Sequence, residues 1–434
     1  MQYYSLNKKS PNVNFRDAAI TGQAPDKGLY FPEKIPMLSA EFFKQLKGKS
    51  KGQIAFEVIK PFVGDTIKED DLFNICSETV NFDFPLKQIN DNIYSLELFH
   101  GPTLAFKDVG ARFMSRCLGY FSKGSDKQIT VLVATSGDTG SAVANGFLGV
   151  KGVNVVILYP SGKVSKIQEL QLTTLGQNIT ALEVQGTFDD CQALVKQAFT
   201  DVELNKRIGL TSANSINVAR WLPQQFYYYF ALQQWQHETA PVISVPSGNF
   251  GNICAGLVAY VSGAPIKHFV AACNSNDIFS NYIANNIVTT KTAVPTISNA
   301  MDVGNPSNFV RMLELFAHDH KRIKELISDC SVSDETTADT IADVYKKFNY
   351  LLEPHGAVAY CGLQKYLINN PQDKGVILET AHPVKFEDVV SKIINKSVAI
   401  PESMKYLLNL EKKSILIKPS FDALKEQLLD SVIA

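Results

Sequence analysis

"QITVLVATSGDTGSAVANGFLG", residues 128–149, reads as a strand, a loop and a helix in immediate succession. Ile129 to Ala134 form a short apolar run rich in β-branched residues. A run of that length, with no polar alternation, fits a strand covered on both faces. "TSGDTG" interrupts it, and the small and apolar residues of "SAVANGFLG" continue as a helix. The order then repeats outward. "VNVVILYP" is a strand, "SKIQELQLTTLG" a helix, "NITALEV" a strand and "DDCQALVKQAF" a helix. Continuous apolar strands alternating with helices predict a parallel sheet with helices on both faces.

The alternation returns beyond residue 240. "APVISV" is a strand, "PSGNFGN" a loop, "ICAGLVAYV" a helix and "IKHFVAAC" a strand. "KGVILE" supplies a strand far downstream, so the second unit is assembled from distant segments. The N-terminal part is mixed and helix-leaning. "NVNFRDAAITG" predicts a helix starting near Asn14 and stopping at Gly22. "EDDLFNICSETV" predicts another. The expected division is residues 1–90 as an N-terminal domain, 91–124 with 206–400 as a large domain, 125–205 as a small α/β domain, and 401–434 as a peripheral helical segment.

The chain has 434 residues, enough for two or three domains with sizeable cores. Its formal net charge is −1. No basic stripe proposes nucleic acid as a partner. The apolar runs are too short to span a membrane. The N-terminus has neither the apolar core of a signal peptide nor the look of a transit peptide, so a cytoplasmic location is expected. Seven scattered cysteines (Cys76, Cys117, Cys191, Cys254, Cys273, Cys330 and Cys361) form no C-x-x-C motif. They read as buried thiols in a reducing compartment. No metal site is expected: "HDH" at 318–320 lacks partners at useful spacing.

Two loops and one lysine carry the chemistry. "TSGDTGS" (135–141) and "PSGNFGN" (246–252) each lie between a strand and a helix. Glycines let a backbone approach a ligand closely, and amides at a helix start point at an anion. Neither loop is a Walker A loop or a G-x-G-x-x-G fingerprint, which argues against a nucleoside triphosphatase or a nicotinamide enzyme. Lys107 in "HGPTLAFKDVGARFM" (100–114) follows apolar residues and opens a predicted helix. Desolvation and a helix N-terminus both favour its neutral amine. Taken alone, it reads first as a stem packed along the surface. Taken with two anion cradles, it meets the needs of an aldehyde cofactor bearing a phosphate.

The motifs "GLYFPEKIP", "LELFHGPTLAFKDVGARFM", "TSGDTGSAV", "VVILYPSGKVSKIQELQ", "SANSINVAR", "SVPSGNFGN", "SNAMDVGNPSN", "SDETTADTI", "EPHGAVAY" and "ETAHPVKF" occur in this order. In sequence and order they resemble the threonine synthase family, in the longer branch shared by bacteria and fungi. The resemblance runs to about residue 390. It implies an α/β, two-lobed, parallel-sheet fold of type II (tryptophan synthase β-like) with an additional N-terminal domain, and pyridoxal 5′-phosphate between the lobes. It implies Lys107 as the cofactor's Schiff-base lysine and as acid and base. It implies Gly248, Asn249, Phe250, Gly251 and Asn252 as the cofactor-phosphate loop. Thr380 would lie beside the pyridine nitrogen, where a lone hydroxyl leaves the ring neutral.

By the same resemblance Thr135, Ser136, Gly137, Asp138 and Thr139 cradle the substrate carboxylate. Asp138 departs from the related dehydratases, which carry asparagine there. A carboxylate in that place is expected to bond to backbone amides or to the cofactor. The substrate phosphate needs a cation, and Arg112, Lys163, Arg220 and Lys385 are the candidates. Each of the four, taken singly, is equally a solvated surface charge. His355 and His382 lie in matching motifs, as packing or as catalytic groups.

The activity implied is conversion of O-phospho-L-homoserine and water to L-threonine and phosphate, by a monomer or homodimer with no nucleic-acid or membrane partner. The alternatives are a phospho-lyase or dehydratase of the same fold releasing a 2-oxo acid, and a ligand sensor without catalysis. Retention of Lys107, both loops and Thr380 argues against the sensor.

Overall fold

In the computed structural model, which describes residues 1–124 and 128–433, the apolar runs form two separate parallel sheets. The smaller sheet has the strand order Ile415–Ile417, Ile179–Val184, Val153–Pro160, Ile129–Ala134, Gly209–Ser212, all parallel. Every residue of Ile129–Ala134 is buried, as a strand covered on both faces requires. The larger sheet runs Ile327–Ser331, His268–Cys273, Val242–Pro246, Gly375–Glu379, Ile93–Glu97, Leu86–Gln88. Its members are parallel except the last, which pairs antiparallel with Ile93–Glu97.

Both sheets reverse their strand order, and the reversals place the loops. In the small sheet the chain moves outward from Ile129–Ala134 to one side, then returns with Gly209–Ser212 on the other. "TSGDTG" leaves the carboxyl end of the strand at that reversal. In the large sheet the reversal lies between Val242–Pro246 and Gly375–Glu379, whose carboxyl ends lead into "SGNFGN" and Thr380. Crevices at such switch points are where open α/β sheets bind ligands.

The N-terminal region forms a three-stranded antiparallel sheet, Val13–Asn14, Gln2–Ser5 and Tyr30–Pro32, with helices packed beside it. The helix Phe15–Thr21 starts on Asn14, whose side chain accepts from Asp17 N. It stops at Gly22, with φ 74°.

One expected boundary lies beyond description and one expected segment differs. The boundary at residue 125 falls among residues 125–127, outside the described residues. Residues after 400 were expected to be helical, yet Ile415–Ile417 joins the small sheet as its edge strand, and the helix Phe421–Ile433 packs on Phe188–Thr200. Three residues carry no periodicity, and only the open edge of Ile179–Val184 gives them a partner. Among the described residues, no helix is long and apolar enough to cross a membrane, and no group of His, Cys, Asp and Glu could hold a metal ion.

Candidate active site

Lys107 is the first residue of the helix Lys107–Phe121. The chain enters that helix through Leu104 in the left-handed region, at φ 57°. This turn lays the segment against the one following Gly375–Glu379. Phe106 N donates to Thr380 O at 2.8 Å, His382 N donates to Leu104 O at 3.0 Å, and Ala105 and Ala381 form an antiparallel bridge. Backbone bonds therefore hold Lys107 close to Thr380. From the other side, Arg220 Nη1 donates to Lys107 O at 2.9 Å, and the Tyr227 hydroxyl donates to Phe106 O.

The Lys107 nitrogen has no hydrogen-bond or ion-pair partner among the described residues; it lies 5.8 Å from the Phe106 ring centroid. Burial lowers its pKa. Asp138 opposes that shift, the positive Lys385 and Arg220 reinforce it, and Glu353 opposes it from further down the order of influence. The lysine is thus an amine with a weakened hold on its proton, among charged groups of both signs.

The two loops leave their amides open. At "SGNFGN" the amide hydrogens of residues 248–252 go to no acceptor among the described residues. They stand at the start of the 11-residue helix Gly251–Val261, entered through Phe250 at φ 60°. A side chain on Gly251 would press on Ser215 Cβ at 3.2 Å and on Asn308 Nδ2 at 3.3 Å. At "TSGDTG" the amides of Ser136, Asp138 and Thr139 are likewise without an acceptor among the described residues. Thr135 shapes this loop. Its Oγ1 accepts from Gly137 N (3.0 Å) and Gly140 N (2.9 Å) and donates to Gly137 O. Gly137 sits at φ 146°, and a Cβ there would meet the Gln168 side chain at 2.5 Å.

Asp138 takes a different partner from the one expected. Its Oδ1 lies 2.8 Å from Lys385 Nζ and accepts from Gln168 Nε2 at 2.9 Å. Burial alone would raise its pKa, but Lys385, and then Lys107, hold it well below the usual carboxylate range. Lys385 also donates to Thr103 O (2.8 Å) and Gln171 Oε1 (3.0 Å), so its three hydrogens are used. That removes it as a free cation for the substrate phosphate.

The other three basic candidates separate. Arg112 turns to the N-terminal domain, donating to Glu78 O and to Asn81 Oδ1. Lys163 is exposed in the turn after Val153–Pro160. Arg220 alone is both buried and bonded to the Lys107 turn.

Thr380 is buried, and its hydroxyl donates to Glu353 Oε1 at 2.9 Å. Glu353 caps the helix Pro354–Asn369, accepting from Gly356 N at 3.1 Å and His355 N at 2.8 Å. His355 Nδ1 meets the same carboxylate at 2.5 Å. Glu379, next to Thr380, accepts from Glu353 N at 2.7 Å, and its Oε2 is buried without a partner. Burial raises the Glu379 pKa, and the neighbouring Glu353 raises it further. His382 lies against Phe99, with Nδ1 accepting from Val384 N. Burial depresses its pKa to about 4. Sequence reading missed Glu353, Glu379 and Tyr227. The "EP" at a helix start was the one available signal for Glu353, as an N-cap before proline.

An unpartnered amine, a five-amide cradle and a polar group 27 residues beyond a helix-capping glutamate suit pyridoxal phosphate. Fold and site together define a pyridoxal-phosphate enzyme of the two-lobed, parallel-sheet class. Comparison with known families agrees along the whole length. "Threonine synthase N terminus" matches residues 2–80, "Pyridoxal-phosphate dependent enzyme" 79–379, and "Threonine synthase, C-terminal" 356–428. The chain belongs to the threonine synthase family. It is 42% identical over 433 residues to the threonine synthase of Buchnera aphidicola subsp. Acyrthosiphon pisum, covering 99% of this chain and 100% of that one. The crystal structure of threonine synthase from Escherichia coli superposes with TM-score 0.92 at 41% identity, over 99% of this chain and 100% of that one. The pyridoxal-phosphate-bound threonine synthase from Brucella melitensis gives TM-score 0.94 at 34% identity, over 100% of both chains.

Proposed function

We propose that the chain converts O-phospho-L-homoserine and water to L-threonine and phosphate, with Lys107 as its acid and base. The observation that carries this reading is a desolvated, unpartnered Lys107 amine accompanied by two separate cradles of open amides. When bound, pyridoxal phosphate supplies an electron sink conjugated with the substrate's α-carbon. The amides of Gly248 to Asn252 hold the cofactor phosphate, and Thr380 meets its ring nitrogen. Lys107 Nζ would be the amine that holds the cofactor, and it would be freed when the substrate amine takes its place. The freed amine then removes the proton from Cα and later from Cβ, as phosphate leaves Cγ. It would return protons to Cγ, which becomes the methyl group, and to Cα, while the hydroxyl of water adds at Cβ and the other proton of that water leaves with the phosphate. The lowered pKa supports this role, because a base must be unprotonated before it can act.

Ser136, Asp138 and Thr139 present their amides to the substrate carboxylate, within a loop shaped by Thr135 and Gly137. Arg220 is the cation we assign to the substrate phosphate, through a guanidinium that also fixes the Lys107 carbonyl. All seven cysteines are free thiols, which supports a reducing cytoplasm as the place of action. We take the working unit to be a monomer or homodimer acting on small molecules. Product analysis tests the reading. Incubation with O-phospho-L-homoserine should release phosphate and threonine in equal amounts. Release of 2-oxobutanoate in place of threonine would select the lyase reading instead.

A further inference from the structure

We propose that the hydroxyl of Ser215 is a further donor to the cofactor phosphate, and that Arg311 aims it through Asn308 and supplies the positive charge behind it. This rests on the assignment, made above, of that phosphate to the loop of residues 248–252. Ser215 belongs to the motif "SANSINVAR", and Asn308 to "SNAMDVGNPSN".

Hydrogen directions follow from donors that cannot accept. Ser307 N lies 2.6 Å from one end of the Asn249 amide, so that end is the carbonyl oxygen. The other end, Nδ2, donates to Ser215 Oγ at 3.0 Å. Arg311 Nη1 lies 2.8 Å from Asn308 Oδ1, and a guanidinium can only donate. Asn308 Nδ2 is thereby turned to Ser215 Oγ as well, at 2.9 Å. Two donors take both lone pairs of one hydroxyl, and what it retains is its hydrogen. No acceptor for that hydrogen stands among the described residues. A Cβ on Gly251 would lie 3.4 Å from Ser215 Oγ, so the hydroxyl borders the first turn of the helix whose open amides form the cradle. An anion seated on those amides is the acceptor this place offers.

A phosphate also needs charge, and "SGNFGN" contains neither lysine nor arginine. Arg311 is fully buried. Its Nη hydrogens go to neutral oxygens: Asn308 Oδ1, Ser215 O at 2.8 Å, Ile216 O at 2.6 Å and Tyr30 O at 3.0 Å. Its guanidinium carbon lies 4.3 Å from the Trp221 ring centroid. No carboxylate pairs with it among the described residues. Burial lowers its pKa to about 9, which leaves it charged at neutral pH. A buried cation without an anion is costly. A phosphate on the neighbouring amides offsets that cost, because charges attract strongly where water is excluded. Arg311 is thus a positioning residue, acting on the cofactor through Asn308 and Ser215.

The test strips the cofactor from the full chain and measures its return by equilibrium dialysis, once with pyridoxal phosphate and once with pyridoxal, which lacks the phosphate. Ser215→Ala should raise the Kd of pyridoxal phosphate about 10–100-fold, as loss of one hydrogen bond to a charged group does. The Kd of pyridoxal should not change. Asn308→Asp gives Arg311 the carboxylate it lacks and puts an acceptor in front of Ser215. It should keep the thermal stability of the cofactor-free protein, yet weaken pyridoxal phosphate at least as much as Ser215→Ala, and Ser215→Ala should then add little. An unchanged Kd for pyridoxal phosphate in Ser215→Ala overturns the proposal, as does an equal loss with pyridoxal. Strict additivity of the two substitutions overturns the part given to Asn308 and Arg311. If Gly251→Val also leaves the Kd of pyridoxal phosphate unchanged, the assignment of the phosphate to this loop falls as well.

Discussion

Asp138 of the small lobe and Lys385 of the large lobe are joined by a 2.8 Å ion pair whose side chains are 6% and 0% exposed. Gln168 and Gln171, from the helix Lys166–Thr173, bond to the two ends of that pair. The loop expected to cradle the substrate carboxylate is therefore pinned across the cleft by charge.

Removing one partner should be costly. Lys385→Met leaves Asp138 buried and unpaired, which costs about 3–5 kcal/mol. Urea unfolding of the Asp138→Asn, Lys385→Met and double variants measures it. The double variant should be less destabilised than the sum of the singles; strict additivity would mean that the pair contributes no coupling.

The same pair predicts an acid limit. Asp138 has a depressed folded pKa, so its contribution to stability is present above the ordinary aspartate value of about 4 and is lost as pH falls below it. Lys385→Met should flatten the acid side of the stability curve. An unchanged acid limb in that variant would assign acid unfolding to other carboxylates.

Lys107 should be the residue that borohydride reduction links to the cofactor, as read by peptide mapping. Lys107→Ala should fold with native circular dichroism and lose turnover by at least about 10²–10⁴-fold, the usual contribution of a general acid–base group. Because burial lowers the Lys107 pKa, cofactor uptake by the apoprotein should quicken with rising pH and level off below the free-lysine value of about 10.4. Labelling of any other lysine would remove Lys107 from the centre of the mechanism.

The two loops should divide their tasks. Gly251→Val drives a branched side chain onto Ser215 and Asn308, an overpacking that costs about 1–3 kcal/mol of stability, and should weaken cofactor retention as the loop shifts to relieve it. Ser136→Ala should leave cofactor affinity unchanged, since the contribution assigned to Ser136 is its amide. Equilibrium dialysis and steady-state KM separate the two. Equal loss of cofactor in both variants would show that the loops do not act separately.

Arg220→Lys should raise KM for the phosphorylated substrate and lower kcat together, because the guanidinium also holds the Lys107 carbonyl. Arg112→Gln should stay near wild type in KM, its guanidinium being bonded to Glu78 and Asn81. A larger KM effect at Arg112 than at Arg220 would reverse the assignment.

Local features were legible in the sequence because they depend on local physics. Asn14 and Gly22 mark the ends of their helix by capping chemistry alone. The apolar runs at 129–134 and 242–246 became buried strands because no polar alternation offers a solvent face. What stayed hidden depends on chain reversal. Nothing near Asp138 in sequence points to Lys385, and nothing near Thr380 points to Glu353. Both pairings follow from strand order. Ile415–Ile417 was hidden for a simpler reason, being only three residues long.

The bridge between Ala105 and Ala381 also sets a timetable for synthesis. The Lys107 turn leaves the ribosome long before the segment that secures it, with about 270 residues of chain between them. Until that segment arrives, the Leu104 carbonyl lacks the His382 amide that ties its left-handed turn to the large sheet, and the strand Ile93–Glu97 lacks its parallel neighbour Gly375–Glu379. Contacts this distant in sequence form late. A nascent chain arrested before residue 375 should therefore not retain pyridoxal phosphate, even though Lys107 and the whole "SGNFGN" loop have already been made.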